Sequence, residues 1–208
     1  MNNEQYINKL EDRLQCLDEL RKEQVKICTA IIGDTLYKED LFFSSAIDRS
    51  IALLDGVSGM LKQRNLACTG ILLRAQIDNC MRVFAAFIAE DQATFIDGFI
   101  RGEEIRRMKD NHGKKMTDHN LQERLAAYDG SVETVYKNSS GYVHLSDKAF
   151  FSSVTTSASN RYDIEFTVGL PLKEKANPVL LEAADAFIHY VYLQNSLLEK
   201  VVTAKESI

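Results

Sequence analysis

Steps of three and four separate the apolar positions Ile7, Leu10, Leu14 and Leu17 and, past Gln24, Cys28 and Ile31, so residues 3–32 are expected to form one long amphipathic helix. Its narrow stripe with charged flanks is the pattern of a coiled-coil seam, which serves either packing along the chain's own bundle or pairing with a second copy. Gly33-Asp34 offers a stop and a new cap. A second helix is expected over about residues 35–63, with Leu36, Leu41, Ile47, Ile51, Leu54, Val57 and Leu61 on its inner side. Gly56 and Gly59 within it point to close approach by a neighbouring backbone. The most apolar run, residues 66–89, leaves no solvated face on a helical wheel and is expected to be the central helix, covered on all sides.

Asp91 caps a fourth predicted helix carrying Phe95, Ile96, Phe99, Ile100, Ile105 and Met108, which Gly113 would end. Asn120 and Glu123 have capping-box spacing and open a fifth through Leu121, Leu125, Tyr128, Val132, Val135 and Tyr136, with Asp129-Gly130 as a point of interruption. Tyr162, Ile164, Phe166 and Val168 then alternate with polar residues, a period of two. With the Ser-, Val- and Thr-rich run before it, this predicts a small β-hairpin over 149–168, which is marginal alone and must lie on the helical body. Asn177 as cap and Pro178 at the first helical position open a last helix over 178–204. The expected fold is mainly α: a single domain over 1–208, a bundle of about six helices with one β-hairpin before the C-terminal helix.

At 208 residues the chain supports one sizeable core, and two prolines and ten glycines leave room for long helices. A net charge of −5 gives no global footprint for nucleic acid or an anionic membrane. The four cysteines, Cys16, Cys28, Cys68 and Cys80, fall in apolar helices without CxxC or CxxH spacing, so buried thiols in a reducing compartment are expected, with no metal and no cofactor. The polar, acid-bearing start MNNEQYINKLEDRL lacks a signal-peptide pattern, which predicts a cytoplasmic protein. Charges in the middle of 66–89 argue against a membrane span there.

Those charges are Arg74, Asp78 and Arg82, at i, i+4 and i+8 on one stripe with Ile71 and Ala85 interleaved. Asp78 stands between two cations, and the ladder is expected inside or beside the core. Tyr136, Ser140 and His144 repeat the spacing. If the fifth helix continues past Gly141, the two ladders face one another as a connected polar site; the alternative is that they only satisfy each other's buried hydrogen bonds. A local basic stretch, 101–115, holds Arg101, Arg106, Arg107, Lys109, Lys114 and Lys115. Its plain reading is a solvated helix end, where cations suit the helix dipole. No HExxH, Walker or Rossmann signature is present.

LLRAQIDN followed by VYKNSSGYVHLS resembles helical bacterial domains of unknown function that carry an Arg-x3-acid pair on a central helix and a Tyr, Ser, His segment downstream. Those domains are in turn similar to the HEPN superfamily and to abortive-infection proteins. The resemblance covers about residues 53–149 and implies Arg74, Asp78, Tyr136, Ser140 and His144 as site residues. Aspartate stands at 78 where the pattern has glutamate, which shortens the carboxylate's reach. Ribonuclease members of the superfamily share Arg-x4-6-His, matched in RRMKDNH by Arg106 or Arg107 with His112. An imidazole that moves a proton and an arginine that holds phosphate suit metal-independent RNA cleavage. The resemblance therefore implies a defence or toxin-type protein, a homodimer, acting on RNA or binding a small ligand through the polar inter-helix site. The alternative is a non-catalytic interaction or scaffold protein whose polar ladders are structural.

Overall fold

The computed structural model describes residues 3–143, 154–156, 164–166 and 174–206. The described residues form seven α-helices: α1 (Asn3–Ile32), α2 (Lys38–Lys62), α3 (Leu66–Ile88), α4 (Gln92–Ile100), α5 (Asp118–Ala126), α6 (Val132–Val143) and α7 (Asn177–Glu206). Strands β1 (Val154–Thr156) and β2 (Ile164–Phe166) pair antiparallel with Val154 opposite Phe166, while the rest of 149–168 lies outside the described residues. Among the described residues no helix is long and apolar enough to cross a membrane.

The apolar run of α3 accounts for its place at the centre, packed against α2, α4, α5, α6 and α7. Cover is incomplete at its start, where Ile71 stays 42% exposed beside the last turn of α6. The seam of α1 is spent inside the chain: Tyr6, Leu17, Leu20, Ile27 and Ile31 are buried against α2 and α7, and Ile7 instead faces outward. Gly56 receives the side chain of Leu72 rather than a backbone, and Gly59 meets nothing.

A polar layer crosses this four-helix core. Gln24 Nε2 donates to Ser50 Oγ (2.9 Å) and Asn195 Oδ1 (3.1 Å), Ser50 donates to Gln76, and Gln76 and Asn79 both donate to Gln194 Oε1. All six residues are buried. Such directional bonds accept one axial register of α1, α2, α3 and α7, which a wholly apolar seam would not specify.

Two predicted boundaries move. Asp91 does cap α4, accepting from Thr94 N at 2.7 Å, but the helix ends at Ile100 rather than near Gly113. Gly102 takes φ +83, and Glu103 N and Gly102 N close onto the Gly98 and Phe99 carbonyls, a Schellman stop. Ile105, though buried, therefore belongs to a short 3₁₀ turn (Ile105–Arg107), and the basic stretch is a loop rather than a helix end. The predicted fifth helix is two helices. Thr117, not Asn120, caps α5, and Asp129 turns the chain between α5 and α6 by accepting from Ser131 N at 2.9 Å.

Asn120 is instead buried against Asp110, the fully buried anchor of the 108–117 loop. The Asp110 carboxylate accepts from the backbone of His112 and Lys114, from Asn120 Nδ2 and from Arg124 Nη1 at 2.9–3.0 Å. Burial pushes its pKa up, but those four donors outweigh it and hold it below the ordinary carboxylate value. A depressed folded pKa stabilises the fold above the unfolded value of about 4 and loses that contribution as pH falls toward the folded one. Asp110→Asn is therefore expected to flatten the acid limb of the stability–pH curve below about pH 4. Parallel acid limbs in wild type and variant, followed by circular dichroism, would place the acid sensitivity elsewhere.

Candidate ligand-binding site

The polar ladder sits where α6 crosses the start of α3. Arg74, four residues before Asp78, lies one turn from it on the same face, and Arg74 Nη1 meets Asp78 Oδ1 as an ion pair. Both of those atoms are closed off from water, and the Arg74 side chain is only 13% exposed. From α6, Ser140 Oγ accepts from Arg74 Nε at 3.2 Å, and Tyr136 Oη accepts from Nη2. The guanidinium carbon also lies 3.6 Å from the centroid of the Tyr136 ring, a cation–π contact. The structure thus brings together Arg74, Asp78, Tyr136 and Ser140. α6 does continue through Gly141 to Val143, while His144 lies outside the described residues.

Arg82 leaves the ladder. Its Nη2 bonds Asp118 Oδ1 at the start of α5 (2.5 Å), so Asp78 serves Arg74 and not two cations. Periodicity placed Arg82 on the stripe, but α5, arriving from elsewhere in the chain, supplied a closer acid. This sets an order for two variants. Arg74→Met removes every contact of the knot and strands a buried carboxylate oxygen, whereas Asp78→Ala leaves Arg74 with Tyr136 and Ser140. Arg74→Met is therefore expected to cost about 1–3 kcal/mol more in urea denaturation, and equal losses would show that the knot carries no energy.

The chemistry of the knot is that of a held charge. Burial raises the Tyr136 phenol pKa, with the Arg74 cation only partly offsetting it, so Tyr136 stays protonated at neutral pH and is no base. Ser140 donates its own proton to the Tyr136 carbonyl at 2.8 Å. No described residue stands ready to take that proton, so the four residues form a charge-holding and hydrogen-bonding surface rather than an activated nucleophile.

Two grooves flank the knot and meet at Ser140. The smaller, about 260 Å³, is lined by Arg49, Ile71, Arg74, Ala75, Asp78, Ser140 and Val143. The larger, about 450 Å³, runs between α5 and α6. Tyr136 forms part of the larger groove's wall and Arg74 part of the smaller's, so their stacked pair is the partition. Arg49, exposed on α2, was not legible as a site residue: a lone charge on the polar face of a helix looks like any solvated arginine.

The basic loop is arranged differently. Arg106 and Arg107 both pair with Glu104, at 2.6 and 3.0 Å, and Arg101 pairs with Glu103. His112 is exposed at the turn that Asp110 anchors. Half of the cations in this stretch are thus matched by local acids, which lowers its pull on a phosphate backbone. The four cysteines are free thiols; Cys80 is buried and the others half-buried. Among the described residues no group of His, Cys, Asp or Glu is placed to hold a metal ion. In comparison with known proteins, the chain matches no family model, no curated protein and no solved structure.

Proposed function

We propose that this chain is a HEPN-like helical binding protein that takes a small anionic ligand in the groove between α2, α3 and α6. The observation that carries this is Arg49. It lines the same groove as Arg74, Asp78 and Ser140, and among the described residues it has no acid partner, so the lining holds one more cation than anions. A concave site with one surplus guanidinium and a hydroxyl suits a carboxylate or phosphate group. The HEPN-like part rests on the sequence resemblance over about residues 53–149, and a cytoplasmic role in defence or as a toxin belongs to the same proposal. A homodimer would have to use a face other than the α1 seam. The scaffold alternative predicts no saturable ligand at all.

The test is nuclear magnetic resonance of the arginine Nε–H signals during titration with sodium phosphate or acetate at constant ionic strength. Saturable shifts at Arg49 and Arg74, weakened in Arg49→Ala, are the expected result. Linear drift without saturation would overturn the ligand reading in favour of the scaffold. A second reading, RNA cleavage at the basic loop, has one observation behind it: His112, Arg106 and Arg107 are all exposed. His112→Ala is expected to leave any RNA-directed activity unchanged. Selective loss of cleavage in that variant would move the function to the loop.

A further inference from the structure

The two grooves that meet at Ser140 carry opposite surpluses of charge. The smaller has Arg49 and Arg74 against Asp78. In the larger, Glu123 and Glu133 stand against Lys137, and the exposed His119 lies 3.4 Å from Glu123. Glu133, Lys137 and Ser140 fall at i, i+4 and i+7 on α6, so they lie on one face of that helix. Glu133 and Ser140 are seven residues apart, and at helical rise this sets the acidic end roughly 10 Å from the hydroxyl where the grooves join.

From this bipolar arrangement we infer that the ligand is an elongated zwitterion longer than a tripeptide, its carboxylate held at Arg49 and its ammonium at Glu133 and Glu123. Three extended residues reach about 10 Å, which covers only the way from Glu133 to Ser140, and Arg49 lines the other groove on the far side of that junction. The middle of such a molecule crosses Ser140. Its Oγ, already accepting from Arg74 and donating to the Tyr136 carbonyl, leaves one lone pair to receive a peptide N–H there. A simple anion fills only the smaller groove, and a simple cation only the larger. This inference rests on the anion reading above and narrows it.

Pentaglycine and acetyl-pentaglycine, in which acetylation turns the terminal ammonium into a neutral amide, are the probes. Free pentaglycine is expected to bind about five-fold more tightly than the acetylated peptide at neutral pH, the scale of two exposed ion pairs. In the double variant Glu123→Gln/Glu133→Gln, whose positions are exposed and carry no core contact, that ratio is expected to fall to about one. Diglycine, too short to bridge the poles, should show no such preference. If free and acetylated peptides bind alike in the wild type while phosphate still saturates, the zwitterion inference fails and the anion reading stands. A preference that survives in the double variant also overturns it, because the ammonium would then be read elsewhere. If neither peptides nor phosphate saturate, the anion reading itself has failed.

Discussion

Lys205→Met is expected to lower unfolding stability by about 3–5 kcal/mol, the scale set by a buried charge left without its partner. Lys205 lies at the end of α7, yet its ammonium reaches the other two long helices of the outer layer. It donates to the Ile31 and Ile32 carbonyls, the last acceptors of α1, and it pairs with Asp40 Oδ2 in the first turn of α2 at 2.5 Å. Its side chain is only 16% exposed and that of Asp40 4%. Asp40 is itself engaged, accepting from the Tyr37 backbone N–H at 2.7 Å to start α2. Removing the ammonium thus uncaps α1 and strands the carboxylate that opens α2. Guanidinium midpoints should fall sharply for Lys205→Met, and the double variant Lys205→Met/Asp40→Asn should recover part of the loss, because the orphaned charge is gone. Additive losses in the double variant would show that the two residues act independently.

Lys205 also marks the limit of what sequence periodicity can convey. A lysine in a polar C-terminal turn looks solvated, and nothing local says that the end of another helix lies within reach. The same holds for Arg82 and Asp118 and for the Asp110 loop, each closed by a partner whose position depends on the whole fold. Features that depend on neighbours in sequence were legible instead. The seam of α1, the apolar run of α3 and the Asp91 cap follow from spacings of three or four residues, and the pairing of Arg74 with Asp78 is one helical turn. The misplaced end of α4 belongs between these cases. Ile105 and Met108 keep the helical period past a glycine, and the backbone reversal at Gly102 outweighs it, since Ile105 is buried from the loop as readily as from a helix. A signal for the polar layer is present in the sequence: Gln24 and Gln194 interrupt apolar stripes, and an amide in such a stripe is either a break in the core or a bond across it.

The same contrast decides the second large prediction, which concerns Gly70. On α3 it sits one turn before Arg74, and at sequence level it is only a tolerated glycine in an apolar helix. In the fold it packs against Tyr142 of α6. A Cβ built on Gly70 would lie 2.4 Å from Tyr142 Cδ2, 2.5 Å from Cγ and 3.0 Å from Cβ, far inside contact distance. Rotating the Tyr142 ring relieves the contacts with Cδ2 and Cγ but not that with Cβ, which α6 relieves only by giving a few tenths of an ångström. Gly70→Ala is therefore expected to cost about 1–3 kcal/mol, against a gain of up to about 1 kcal/mol from helix propensity alone. The larger consequence is geometric. Tyr136 and Ser140 ride on α6, so a shift of that helix withdraws both from Arg74 and parts the two grooves at their junction. Two measurements report on this together: the arginine Nε–H signal of Arg74 should move toward that of a solvated guanidinium, and phosphate saturation should weaken, in a variant that remains helical by circular dichroism. If Gly70→Ala instead gains stability with the Arg74 signal in place, α6 does not press on α3 at this point, and the knot of Arg74, Asp78, Tyr136 and Ser140 does not hold the site together.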